Sequence, residues 1–234
     1  MMKNLIVLIA ALCLFACEVQ KESNSTENIW VYTKITSTDL NSVNCKIKIV
    51  GNDGNSVSGA IVNAVNPANK TIALEYTNGE YSGYFDALIS GEYRFLIKTI
   101  NDGKVQTIEK TFSHIAITEK PKIITISDET GVSALNGENL DCSKKINIGW
   151  EKTKGTIYIV TIQSNSSTVY SANTTENYLV IPAKTLIEDT NYSVSVTVQY
   201  LDGDPFLYFA DYTSQSSCKG TSIYFRTGSN NEEI

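Results

Sequence analysis

The sequence is poor in the residues on which metal and hydrolytic chemistry depend. It has one histidine, His114, and five cysteines in 234 residues. Cys45, Cys142 and Cys218 lie far apart in the sequence, without the close spacing of zinc ligands. No Gly-x-Ser-x-Gly motif accompanies the histidine, and no glycine-rich phosphate loop opens a helix. These absences exclude a zinc site with several histidine ligands and favour a protein without a catalytic residue, a metal or a cofactor.

An excess of basic residues is also missing. Nineteen Lys and Arg face 25 Asp and Glu, for a formal net charge of −6. Nucleic acids are bound through basic surfaces, so the composition argues against a nucleic-acid partner. The acidic pairs Glu188-Asp189 and Asp202/Asp204 lie in turn-like segments, where carboxylates occur for backbone reasons. We therefore expect neither a glycosidase pair nor a calcium loop there.

Long apolar runs are absent apart from one at the start of the chain. Lys3 precedes the apolar run at residues 5–15, which is shorter than the roughly 20 residues that a membrane-spanning helix needs. The run ends in Leu-Phe-Ala-Cys, at residues 14–17. This tetrapeptide resembles the lipobox of bacterial lipoproteins, although Phe15 is bulkier than usual at its position. The alternative is an ordinary secretory peptide with a chance cysteine.

The lipobox resemblance implies that residues 1–16 are a signal peptide and that the mature chain begins at Cys17. Acyl chains on Cys17 would anchor the protein to a membrane of the bacterial cell envelope. An outer membrane or cell surface fits better than the inner membrane. Residues 17–28 are polar and lack periodicity, which is typical of a flexible tether.

From Ile29 onward the sequence is typical of short antiparallel strands. Cys45, Ile47 and Ile49 alternate with lysines, so we expect Cys45 to be a small buried apolar residue. Turn signals recur every 8 to 15 residues, as around Asn101-Asp102-Gly103. The expected fold class is all-β, with two antiparallel β-sandwiches in tandem. The first covers residues 29–118, a linker covers 119–121 around Pro121, and the second covers 122–228 before a tail at 229–234.

The first domain resembles immunoglobulin-like and carboxypeptidase-regulatory-like sandwiches. The resemblance depends on glycine turns that feed strands: residues 57–62 (VSGAIV), 79–81 (GEY) and 91–95 (GEYRF). Members of those families are mostly spacers and docking surfaces.

The second domain resembles the fibronectin type III family. Trp150 ends one alternating strand, and Leu186 stands six residues before Tyr192 in the run YSVSVTV. The resemblance implies that Trp150 packs at the centre of the sandwich and that Leu186 and Tyr192 brace the corner before the sixth strand. Residues 222–227 (SIYFRT) resemble the last strand.

An aromatic segment departs from the fibronectin pattern between Leu201 and Gly220. It contains Phe206, Tyr208, Phe209 and Tyr212, where a compact loop is expected. Two interpretations remain open for its backbone: an extended hairpin, or an extra strand at the sheet edge. If the rings are exposed, they suit a protein partner or stacking against sugar rings; otherwise they belong to the core.

The extra strand also decides whether a disulfide can form. Cys45, Cys142 and Cys218 remain for the folded part, so at most one disulfide can exist. In a plain fibronectin sandwich, Cys142 and a Cys218 loop lie at opposite ends, out of disulfide reach. An added strand would return the chain to the Cys142 end, and on that basis we expect a Cys142–Cys218 bond.

The sequence as a whole predicts a lipid-anchored, non-catalytic lipoprotein of the cell envelope that binds or spaces protein partners. The alternative is a carbohydrate-binding lipoprotein of a glycan-uptake system, where tandem sandwiches are common. Exposed aromatic rings in one loop would favour sugar, and a flat apolar edge would favour protein.

Overall fold

The structure is a computed structural model that describes residues 29–38, 41–101, 103–202 and 212–228. These residues form sixteen β-strands and a single 3-10 helix, Ala134–Asn136, which confirms the all-β fold class. Several predicted features lie outside the described residues: the signal peptide, Cys17 and its tether, Phe206, Tyr208, Phe209 and the tail at 229–234.

The N-terminal sandwich is built from the first eight strands. They are β1 (Ile29–Thr38), β2 (Ser42–Gly51), β3 (Ile61–Val65), β4 (Thr71–Ala73), β5 (Glu75–Thr77), β6 (Glu80–Phe85), β7 (Gly91–Asn101) and β8 (Lys104–His114). One sheet has the order β4-β3-β7-β8, and β1-β2-β6-β5 belongs to the sheet facing it. Cys45, Ile47 and Ile49 point into this core with at most 1% of their surface exposed, as their alternation with lysines predicts.

The C-terminal sandwich uses the remaining eight strands. They are β9 (Ile123–Asp128), β10 (Ile146–Trp150), β11 (Ile157–Ser164), β12 (Ser167–Thr174), β13 (Tyr178–Ile181), β14 (Asn191–Asp202), β15 (Tyr212–Lys219) and β16 (Ile223–Arg226). One sheet has the order β13-β10-β9, and β12-β11-β14-β15 faces it, with β16 also paired to β14. Its buried side chains form a cluster separate from the N-terminal core. The predicted linker, residues 119–121, lies in the strand-free segment between β8 and β9.

The residues that carry the fibronectin resemblance occupy the positions it implies. Trp150 is fully buried, with its ring centroid 5.3 Å from that of Tyr158. Leu186 is buried, and Tyr192 lies at the start of β14. The Tyr192 hydroxyl accepts a hydrogen bond from the Ile187 amide at 2.9 Å, tying the preceding loop to the sandwich as a tyrosine corner does.

The two sandwiches are joined side by side through one continuous sheet. Strand β1 pairs with β15 in parallel, from Thr33 opposite Tyr212 to Thr38 opposite Ser217. The resulting nine-stranded sheet has the main order β12-β11-β14-β15-β1-β2-β6-β5. The sequence predicts two domains in series but contains no signal for this shared ladder.

The strands on either side of the aromatic segment are described, although the segment itself, apart from Tyr212, lies outside the described residues. β14 and β15 pair antiparallel, from Thr197 opposite Lys219 to Asp202 opposite Ser214, and both interpretations of the segment between these strands stay open. β15 is not an edge strand, because β1 covers its second side.

Candidate functional site

The predicted aromatic site falls almost entirely outside the described residues. Of its four members, only Tyr212 is placed, as the first residue of β15 opposite Thr33. The proposed contribution of Phe206, Tyr208 and Phe209 to binding therefore stays a prediction.

The predicted disulfide between Cys142 and Cys218 is absent, which corrects the expectation from sequence. Both residues are buried, and neither forms a disulfide. Cys218 is not in a loop: it lies within β15 opposite Val198. The amide of Leu140, two residues before Cys142, donates to the Arg226 carbonyl. Arg226 lies opposite Asn191, at the other end of β14 from Val198. Val198 and Asn191 are seven strand positions apart, at about 3.4 Å each. This separation is far beyond the reach of a disulfide between Cys218 and Cys142.

The third thiol behaves as predicted. Cys45 is fully buried in the N-terminal core, and burial raises the pKa of its thiol to about 12. A thiol with so high a pKa is a poor nucleophile at neutral pH. Cys45 is therefore a packing residue.

A polar cluster lies where the two sandwiches meet, and we call it the joint cluster: His114, Ser37, Ser214 and Ser216. The His114 Nδ1 atom is 2.8 Å from the Ser214 hydroxyl, and its Nε2 atom is 3.2 Å from the Ser37 hydroxyl. The four side chains come from β8, β1 and β15, and each is at most 4% exposed. One histidine at the end of β8 thus bonds both partners of the shared ladder.

The hydrogen-bond directions within the joint cluster define the imidazole tautomer. The Ser216 hydroxyl donates to the Ile115 carbonyl, and the Ser37 hydroxyl donates to the Ser216 oxygen at 3.0 Å. Because the Ser37 proton is already used, His114 Nε2 must donate to Ser37. His114 Nδ1 then accepts from Ser214. The neutral ring is fully satisfied, and burial lowers the pKa of His114 to about 4.

The joint cluster brings serine and histidine together without forming a usable catalytic site. Its hydroxyls are enclosed by two sandwiches, and the His114 ring packs edge-on against Tyr93 at a centroid distance of 5.8 Å. A substrate cannot reach a nucleophile that is sealed in this way. The buried hydrogen bonds of the joint cluster therefore hold the two domains together.

A groove with exposed polar and aromatic groups lies at one end of the C-terminal sandwich. Its volume is 340 Å³, and its lining residues are Ala134, Gly137, Glu138, Asn139, Asn191, Tyr192, Tyr224, Phe225 and Arg226. Tyr224 is 79% exposed, so its ring face is available to a ligand. Arg226 forms an ion pair with Asp189 at 3.7 Å beside the groove.

One wall of the groove is held in place by a buried carboxylate. Asp128, at the end of β9, accepts hydrogen bonds from the amides of Thr130, Val132 and Asp141 at 2.9 to 3.3 Å. Burial raises the pKa of this carboxyl, but these bonds and the Thr130 hydroxyl outweigh that effect and keep it below its usual value. The wall, which includes Glu138 and Asn139, is therefore ordered from within.

Sequence reasoning missed both the groove and the joint cluster. The sequence predicts only that Tyr224 lies in the last strand. Its alternation with Phe225, which is buried, also indicates that Tyr224 is exposed. Ser214 and Ser216 alternate with polar neighbours and resemble a surface strand, so nothing local reveals that a second domain covers them.

Two features are absent from the described residues: a cluster of metal ligands and a membrane-spanning helix. Within residues 29–228, outside the gaps noted above, no group of three or more His, Cys, Asp or Glu side chains could hold a metal ion. In that same part of the chain, no helix has the length and apolarity to cross a membrane.

Comparison with known proteins gave structural likeness alone. No protein-family model and no curated protein matches the chain. It is similar to a cytokine receptor complex, with a TM-score of 0.42 and 9% identity over 87% of this chain and 100% of that chain. For the human OSCAR ligand-binding domain the values are 0.30, 7%, 83% and 96%. For the FN1–FN3 domains of chicken CNTN1 they are 0.24, 12%, 80% and 64%. These likenesses carry no functional argument, and the all-β fold rests on the strands and sheets described above.

Proposed function

We propose that the chain is a membrane-anchored lipoprotein of the cell envelope that serves as a non-catalytic binding or spacer module for protein partners. The observation that supports this role most directly is the shared ladder between β1 and β15. Main-chain hydrogen bonds and the joint cluster fix the two sandwiches in one orientation. A fixed two-domain unit can hold a binding surface on one sandwich at a constant distance and angle from the other.

The rigid-spacer role is tested by the distance between the domains in solution. Spin labels attached through Thr107→Cys in β8 and Ser171→Cys in β12 report on the two sandwiches, and both positions are exposed. We expect one narrow distance distribution by pulsed electron paramagnetic resonance. A broad distribution would show domains that move independently and would remove the spacer role.

The anchor is tested separately, because it depends on the Cys17 thiol. We expect the wild-type protein to partition into detergent and the Cys17→Ser variant to remain an aqueous, incompletely processed precursor. Equal aqueous partitioning of the two forms would contradict lipidation.

A second candidate function is carbohydrate binding, and the groove beside Tyr224 favours it. An exposed ring face with amide and guanidinium groups around it is suited to stacking and hydrogen bonding with a sugar. On a glycan array, Tyr224→Ala should lose the signal of the wild-type fragment. The matched control is Tyr178→Ala, because Tyr178 is also exposed but lies in β13 of the opposite sheet. An equal loss in both variants would exclude the groove.

A further inference from the structure

The outer face of the N-terminal sandwich carries an unusual group of cations. We define the lysine–aromatic face as Trp30, Lys34, Lys46, Lys48 and Tyr84, on β1, β2 and β6. Their inward-facing neighbours, such as Ile35, Cys45 and Ile47, are fully buried, so these five alternate onto the solvent side of the sheet. The face lies on the opposite side of the sheet from the core.

The lysines are placed where their charges repel one another. Lys34 and Lys46 are directly opposite in the antiparallel pair of β1 and β2. Such positions have Cβ atoms about 4.5–5.5 Å apart, and like charges there are destabilising. The repulsion is retained in a chain whose net charge is −6. A cationic surface on an acidic protein is complementary to an anionic partner.

Few carboxylates neutralise this group. Within the described part of the chain, Lys46 is the one of the three lysines in an ion pair, with Glu80 at 3.7 Å, and both side chains are nearly half exposed. Exposed pairs of this kind are weak and leave the cation available. Glu75, on the edge strand β5, is the other acidic residue of this half of the sheet.

Aromatic rings lie on both sides of the opposed lysines. Trp30 is 50% exposed and precedes Lys34 by four residues, about 13 Å along β1. Tyr84 is 68% exposed and lies opposite Asn44, two residues or about 7 Å from the level of Lys46. The order along the face is thus ring, cations, ring, over a span of about 20 Å.

We propose that the lysine–aromatic face binds an acidic polysaccharide, with the lysines contacting its anionic groups and the rings stacking on its sugars. The proposal goes beyond the spacer role and shares its ligand class with the second candidate function, carbohydrate binding, at a different site. The rings and cations are spread over about 20 Å of the sheet, which suits an extended polymer rather than a small enclosed ligand. Sugar rings, unlike acidic peptides, offer flat faces to both Trp30 and Tyr84.

Trp30 provides the measurement. The chain has two tryptophans, and Trp150 is fully buried in the other sandwich. A change of fluorescence on titration with polygalacturonate therefore reports on Trp30. Dextran is the neutral probe and poly-L-glutamate is the acidic peptide. We expect polygalacturonate alone to change the fluorescence and to bind more weakly as salt rises.

The double variant Lys34→Gln with Lys46→Gln removes the opposed cations and relieves their repulsion, so it should fold. We expect its affinity for polygalacturonate to fall about tenfold or more, which corresponds to about 1.4 kcal/mol for the loss of two exposed cationic contacts. The matched control, Lys98→Gln with Lys104→Gln, changes the same net charge on the opposite sheet. Its affinity should remain that of the wild type.

Four results would overturn the proposal. Equal binding of poly-L-glutamate would assign the face to acidic protein segments, and binding of dextran would make the charges irrelevant. Equal losses in the lysine pair and its control would show nonspecific attraction. If no probe binds while the spin-label distances stay narrow, polysaccharide binding by the lysine–aromatic face is excluded and the spacer role is supported. If the distance distribution is broad while polygalacturonate still binds, the spacer role is excluded and polysaccharide binding by the lysine–aromatic face is supported.

Discussion

The interiors of the two sandwiches and the joint between them are stabilised by different kinds of contact. Each interior is apolar, with Trp150 and Tyr158 in one and Phe85 and Tyr93 in the other. The joint instead consists of a parallel backbone ladder and the His114 cluster. Apolar burial stabilises a core without regard to direction, whereas a hydrogen-bonded ladder fixes register and angle. The comparison indicates that the cores keep each domain folded and the joint sets their relative orientation.

The largest effect should come from emptying a core. We expect Trp150→Ala to lower the free energy of unfolding of the C-terminal domain by about 3–5 kcal/mol, because it removes a fully buried ring. Chemical denaturation measures this loss. Trp30→Ala is the control, since half of that ring is exposed, and its effect should stay within about 0.5 kcal/mol. Comparable losses would mean that Trp30 is a core residue.

The stability of the joint should depend on pH, whereas the stability of the two cores should not. The folded-state pKa of His114 lies at about 4, below the ordinary value of 6.5. The unfolded chain therefore binds more protons between these values, so stability is full above pH 6.5 and falls as the pH drops toward 4. The loss should be on the order of 3 kcal/mol.

This pH dependence can be isolated because His114 is the only histidine in the chain. The free energy of unfolding is measured across pH for the wild type and for His114→Gln. The difference between the two profiles removes the carboxylate contribution that both proteins share. Hydrogen exchange should show that β1 and β15 lose protection before either core does. Identical profiles for the two proteins would contradict the burial of a neutral imidazole.

The smallest effect should come from crowding the close approach between Gly220, after β15, and the linker residue Pro121. A Cβ added to Gly220 would collide with the Pro121 carbonyl oxygen and lie 3.1 Å from that of Val196. Backbone atoms cannot turn away as side chains do, so Gly220→Ala should cost about 1–3 kcal/mol. Gly59→Ala is the matched control because nothing lies near its added Cβ. A thermal melt in which both variants match the wild type would contradict the close approach.

The difference between cores and joint also explains what the sequence could reveal. Trp150, Tyr192 and Cys45 follow local alternation and predict their own burial, because the side chains covering them belong to the same sandwich. Ser214 and Ser216 are covered by another domain, and hydroxyl side chains carry no hydrophobic signal. Cys218 shares that strand, so mistaking β15 for a loop produced the incorrect disulfide. The groove depends on which face of β16 Tyr224 occupies, and a four-residue strand gives little periodicity.

The parallel pairing of β1 with β15 sets an order of events during folding. The Ser37–Ser216 hydrogen bond spans 179 positions of sequence, so one side of β1 has no partner until nearly the whole chain exists. Contacts this distant in sequence form slowly, since the intervening chain must first be ordered. Until then β1 presents a bare strand edge, the kind of surface on which chains associate wrongly. Completion of the last hairpin is thus the step that ends the exposure of the first strand.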